Sequence, residues 1–148
     1  MYKHILIATD GSELAQKGVD AGLALAATLG AEVLALTVSE PIVTGFDDAM
    51  GWATAGATAS DFQAAREQEG AAVLQRVQAQ AQAAGVALRP RYLPDRYAAE
   101  AIIETAQAEG CDLVVMASHG RRGLNRLLLG SQANEVLMRS QVPVLVIR

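Results

Sequence analysis

The sequence predicts a Rossmann-like α/β fold: an open, doubly wound, five-stranded parallel sheet in the order 3-2-1-4-5, with helices on both faces. Three observations lead there. Five short runs of β-forming residues alternate with helical patterns along the 148-residue chain. Four of those runs are nearly continuous in apolar residues, as strands covered on both faces must be. Right-handed crossovers between parallel strands then place the intervening helices on the two sides of one sheet. A chain of this length can bury roughly two thirds of the surface it exposes when unfolded, so residues 1–148 are read as a single domain with one core.

The first strand is HILIATD, residues 4–10. In the helix that follows, Leu14, Gly18, Ala21, Leu25 and Leu29 recur at spacings of four and three and form one apolar stripe. Ser12 stands where an N-cap belongs and Gly30 where a helix-ending glycine belongs. The second strand is EVLALTV, residues 32–38. Residues 40–60 follow, with no clear period and more length than the roughly 12 residues an unstructured connection usually has; they read as a lid or a disordered loop. Leu74, Val77, Ala81 and Ala84 mark a second helix that ends at Gly85. The third strand, VALRPRYL (86–93), contains Pro90 and two arginines, which assigns it to a sheet edge. Ala99, Ile102, Ile103 and Ala106 mark a third helix, closed by Gly110. DLVVMAS (112–118) is the fourth strand, and a helix from about Ser131 turns Val136 and Leu137 inward before VPVLVI (142–147) completes the sheet.

Bulk composition narrows the function. Hydrophobic residues make up 51% of the chain, yet no run approaches the roughly 18 apolar residues of a membrane span, and no export signal opens the sequence. A cytoplasmic protein is expected. The net charge of −4 and only six aromatic residues disfavour a nucleic-acid groove. Cys111, the lone cysteine, excludes an internal disulfide and reads as a small buried hydrophobe. Charge is uneven, however: from Ser118 onward there are five arginines (Arg121, Arg122, Arg126, Arg139, Arg148) and one acid, Glu135. A local anion site is compatible with an acidic whole.

With the first strand central, the strand order reverses between strands one and four, and ligands of such sheets bind beyond the carboxyl ends of the strands at that point. Those ends are ATDGS and ASHGR, so ASHGRRGLNRLLLGS (117–131) lies at the crevice. Two readings stand side by side. Gly120 and Gly123 supply positive φ for a turn while Gly130 starts a helix. Alternatively, the unpaired amides of a helix beginning near Ser131 attract a phosphate. A P-loop is excluded because no lysine follows Gly130, and TDGSELAQKG lacks the dinucleotide-binding spacing.

From HILIATDGS through DLVVMASHGRRGLNRLLLGS to VPVLVIR, the chain resembles the universal stress protein family. Nucleotide-binding members carry G-x-x-G, nine residues, then G-[ST]. Here the pattern is Ala117-Ser118-His119-Gly120, nine residues, then Gly130-Ser131, with alanine in place of the first glycine. The resemblance implies that ATP is bound as a regulatory ligand in a dimeric stress-response module. Gly120, Gly130, Ser131 and the amides of Arg121 and Gln132 would hold the phosphates, and Asp10 and Val38 would face ribose and adenine. Ala8, Thr9 and Ala117 would line the same wall. Mg²⁺ usually accompanies a triphosphate.

Catalytic players are missing: no nucleophile has an evident base, and His4 and His119 are far apart in sequence. At most, slow ATP hydrolysis is expected. A phosphotransfer receiver is excluded because the only lysines are Lys3 and Lys17 and the middle strand does not end in an aspartate. The alternative within the family is a dimeric interaction module that does not bind nucleotide, which Ala117 favours. The apolar terminal strand invites pairing with a second copy, and the resemblance points to the same homodimer.

Overall fold

In the computed structural model, which describes residues 1–41, 58–121 and 128–148, every apolar run of the sequence becomes a strand of one sheet. The order along the chain is β1 (His4–Ala8), α1 (Glu13–Leu29), β2 (Glu32–Val38), α2 (Ala59–Ala83), β3 (Leu88–Leu93), α3 (Ala98–Ala108), β4 (Leu113–Ala117), α4 (Ser131–Arg139) and β5 (Val144–Ile147). The sheet order is β3-β2-β1-β4-β5, all parallel, as expected. Ile5 of β1 sits between Val33 of β2 and Leu113 of β4. Pro90 falls on the edge strand β3, opposite Ala35, where its missing N–H interrupts no inner ladder.

Strand alternation divides the core in two. Ile5, Ile7, Val33, Ala35, Leu113 and Val115 pack with Val19, Leu23 and Ala26 of α1 and Leu74, Val77 and Ala81 of α2. Leu6, Leu34, Leu36, Val114 and Met116 pack on the other face with Ala99, Ile102 and Ala106 of α3 and Ala133 and Val136 of α4. Both sheet faces are thus covered, which accounts for the unbroken apolar runs.

Three expectations shift. The buried face of α1 is Ala15, Gly18, Val19, Gly22, Leu23 and Ala26, one position along from the predicted stripe, and Leu29 is exposed. The reason is close packing through small residues: a Cβ on Gly22 would lie 2.5 Å from Ile7 Cδ1, and one on Gly18 would lie 3.3 Å from the Ala117 nitrogen. In α4, Val136 is fully buried but Leu137 points outward, and in α2 Ala84 is an exposed cap outside the helix. The long connection also ends earlier than 60. Thr58 and Asp61 form a reciprocal capping box, so Ala59 and Ser60 already belong to α2; residues 42–57 of the predicted lid or loop lie outside the described residues.

Cys111 is buried in the core, as expected, where burial, with Glu109 adding to it, pushes the thiol up to about 11. Against the ordinary value of 9.0, native Cys111 should react with iodoacetamide at pH 8 about 100-fold more slowly than in denaturant. Mass-spectrometric alkylation kinetics measure this directly.

Candidate functional site

At the carboxyl ends of β1, β2 and β4 lies a cleft of about 800 Å³, within the range of small-molecule sites. All ten residues singled out in the sequence border it: Ala8, Thr9, Asp10, Val38, Ala117, Gly120, Arg121, Gly130, Ser131 and Gln132. The sheet order brings them together, since the crossovers leave in opposite directions on either side of the β1–β4 pair.

Each wall has a local cause. Beyond β1, the Thr9 N–H donates to the Leu36 carbonyl at 3.0 Å, and the Thr37 hydroxyl donates to the Thr9 carbonyl at 3.0 Å. Gly11 then turns the chain with φ +76° and leaves no room for a side chain, because a Cβ there would meet Val73 of α2 at 2.5 Å. Asp10 Oδ1 accepts the Ser12 N–H at 2.9 Å, and Ser12 Oγ in turn caps α1 by accepting from Ala15 at 3.2 Å. The other carboxylate oxygen of Asp10 crosses the cleft and accepts the Arg121 N–H at 2.8 Å. The Arg121 amide is therefore engaged by Asp10.

The opposite wall is the start of α4. Gly130 is its N-cap and has no side-chain capping bond, and among the described residues none accepts from the Ser131, Gln132 or Ala133 N–H groups. The Gly130 N–H donates to the Ser118 carbonyl at 2.9 Å, and the two backbones approach so closely that a Cβ would sit 2.7 Å from that oxygen. Gly130 is thus required by close approach and not by positive φ. The same holds for Gly120, which is not among the positive-φ glycines; a turn needing left-handed geometry there is not what the structure contains. Gly123, Arg122 and Arg126 lie outside the described residues.

Ala117, the last residue of β4, is 6% exposed. It also avoids positive φ, so its methyl brings no backbone strain and bears on a ligand only by contact. The Gln132 side chain reaches across and accepts the Ala99 N–H at 2.9 Å, supplying α3 with the cap that its own Tyr97 does not provide. His119 Nδ1 lies 3.0 Å from Ser118 Oγ.

The Arg121 guanidinium pairs with Glu69 of α2, and Arg66 donates to the Glu40 carbonyl. The α4 amides and their dipole add to the attraction for an anion, roughly 0.3–1 kcal/mol per helix terminus when exposed. Among the described residues no group of three or more acidic, histidine or cysteine side chains could hold a metal. No described helix is long and apolar enough to cross a membrane.

Sequence reading missed the cleft's Tyr92, Tyr97, Arg66 and Glu69. Arg66 and Glu69 belong to the first turns of α2, where hardly any residue is buried and no apolar period signals a helix; only the Thr58–Asp61 cap does. Tyr92, whose hydroxyl lies 2.7 Å from Ser39 Oγ, was legible only as part of an edge strand.

The cleft can be set beside known proteins. The chain is 33% identical over 148 residues to universal stress protein MJ0531 of Methanocaldococcus jannaschii, covering 100% of this chain and 83% of that one. The solved structure of hypothetical protein MJ0577, from the same organism, matches with a TM-score of 0.80 and 26% identity over 99% of this chain and 96% of its own. A universal stress protein solved in complex with cAMP shares the fold with a TM-score of 0.71 at 24% identity, covering 99% and 97%. The universal stress protein family itself is matched from residue 1 to residue 148. The family match spans the whole sequence, the sheet order of the described residues accords with it, and the chain belongs to the universal stress protein family.

Proposed function

We propose that this chain binds ATP as a regulatory ligand and acts as a cytoplasmic, homodimeric stress-response module. The observation that carries this reading is the uncapped N-terminus of α4 on the rim of a roughly 800 Å³ cleft at the switch point of the sheet. Ser131, Gln132 and Ala133 would present amides to the phosphates, with Gly130 and Gly120 leaving space beside them. Ala8, Thr9, Asp10 and Val38 would line the ribose and adenine side. Mg²⁺ would arrive with the triphosphate, coordinated chiefly by phosphate oxygens and water. For dimerisation, support comes from apolar surface on the single chain: Leu145 of β5 is 38% exposed, and Leu137 and Met138 of α4 are 42% and 77% exposed. Light scattering coupled to size exclusion reads the mass against the 15.5 kDa chain.

The test is to purify the protein without added nucleotide, denature it and identify what is released, then measure thermal shifts with ATP and with cAMP, the ligand of the fold neighbour. ATP at 100 times its Kd stabilises by about 2.7 kcal/mol, which raises Tm by about 5–10 °C. An empty protein with no shift at millimolar ATP contradicts the reading.

Ala117 favours a second reading, a dimeric module that does not bind nucleotide, because its methyl lies on the cleft wall where nucleotide-binding relatives carry glycine. Ala117→Gly separates the two. Tighter ATP binding identifies the methyl as an obstacle; unchanged affinity places the ligand out of its reach.

A further inference from the structure

We infer that Asp10 is a positioning residue: it holds the loop after β4 in place through the Arg121 amide and thereby dictates a glycine at position 120. The inference rests on the reading of the cleft as an anion site only for its binding arm. Its geometry stands alone. One carboxylate oxygen is fixed to the β1–α1 turn by the Ser12 N–H at 2.9 Å, and the other holds the β4 loop by the Arg121 N–H at 2.8 Å. Two segments more than a hundred residues apart are tied by one side chain.

Gly120 supplies the second observation. A Cβ built there would lie 2.7 Å from Asp10 Oδ2 and 3.8 Å from Asp10 Cγ, and among the described residues no other neighbouring atom comes within 4 Å. Gly120 also lies outside the left-handed region, so alanine would meet no backbone strain. The obstacle to a side chain at 120 is thus the carboxylate itself, which cannot swing aside without releasing both amides. Glu69 secures the same loop a second time by pairing with the Arg121 guanidinium. Arg121 is anchored by its backbone and by its side chain, and the phosphate amides are left to α4.

A double-mutant cycle tests the coupling on the full chain. Gly120→Ala alone should lower Tm by about 4 °C, and in the Asp10→Ala background by less than half as much. Additive losses overturn the inference, and this arm holds whether or not the protein binds nucleotide. The second arm uses inorganic tripolyphosphate and ATP as probes by calorimetry. Removing a negative charge should by itself strengthen anion binding. A loss of about tenfold for tripolyphosphate in Asp10→Ala, with at least as large a loss for ATP, therefore reports loop positioning. Loss for ATP with tripolyphosphate binding unchanged would mean that Asp10 acts only through the ribose it lines, and tighter tripolyphosphate binding would mean that it merely repels anions; either overturns the inference. If the unaltered protein binds neither probe, the proposed function fails while the stability cycle still decides the role of Asp10.

Discussion

Gly130→Val is expected to weaken ATP binding at least about 100-fold, equivalent to roughly 2.7 kcal/mol, with the chain still folded. The added side chain meets backbone first: its Cβ would lie 2.7 Å from the Ser118 carbonyl oxygen and 3.4 Å from His119 Cα. The β4 end and the α4 start must separate, and the 2.9 Å bond between the Gly130 N–H and Ser118 is lost. That movement displaces the amides proposed to hold phosphate. Titration calorimetry measures the loss, with circular dichroism and particle mass confirming fold and assembly. Wild-type affinity in Gly130→Val would remove α4 from the binding site.

Ile7→Ala should be the most damaging conservative change to stability, costing about 4 kcal/mol and lowering Tm by about 10 °C. Ile7 is fully buried on the central strand, between Ala35 of β2 and Val115 of β4. Gly22 of α1 lies directly over it, so no neighbouring side chain on that helix position can fill the space left behind. The domain stability of a protein this size is typically 5–15 kcal/mol, and the loss is a large share of it. Urea unfolding followed by circular dichroism gives the value; a cost below about 1.5 kcal/mol would mean that the core collapses around the cavity.

The sheet was legible because its strands are buried on both faces and therefore read as unbroken apolar runs, and because Pro90 marks an edge. Helix faces were less so. In α1 the leucines at 14, 25 and 29 suggested the inward stripe, yet Gly18 and Gly22 bring the helix so close that small neighbours and Val19 and Leu23 make the contact. The start of α2 carried only a capping signal, since its first turns bury almost nothing. Site residues converged because topology fixes where strand ends meet. What they do to each other was not legible: the bond from Arg121 to Asp10 and the capping of α3 by Gln132 join segments with no pattern in common. Their partners are chosen by the folded geometry, which spacing along the chain does not encode.

The proposed function requires that the amides at the head of α4 receive the phosphates. Amide-resolved NMR titration with ATP addresses it most directly. The largest shifts, saturating together, should fall on the N–H groups of Ser131, Gln132 and Ala133, with smaller ones at Thr9 and Val38. Saturable shifts confined to other parts of the chain, leaving those three amides unmoved, would contradict it.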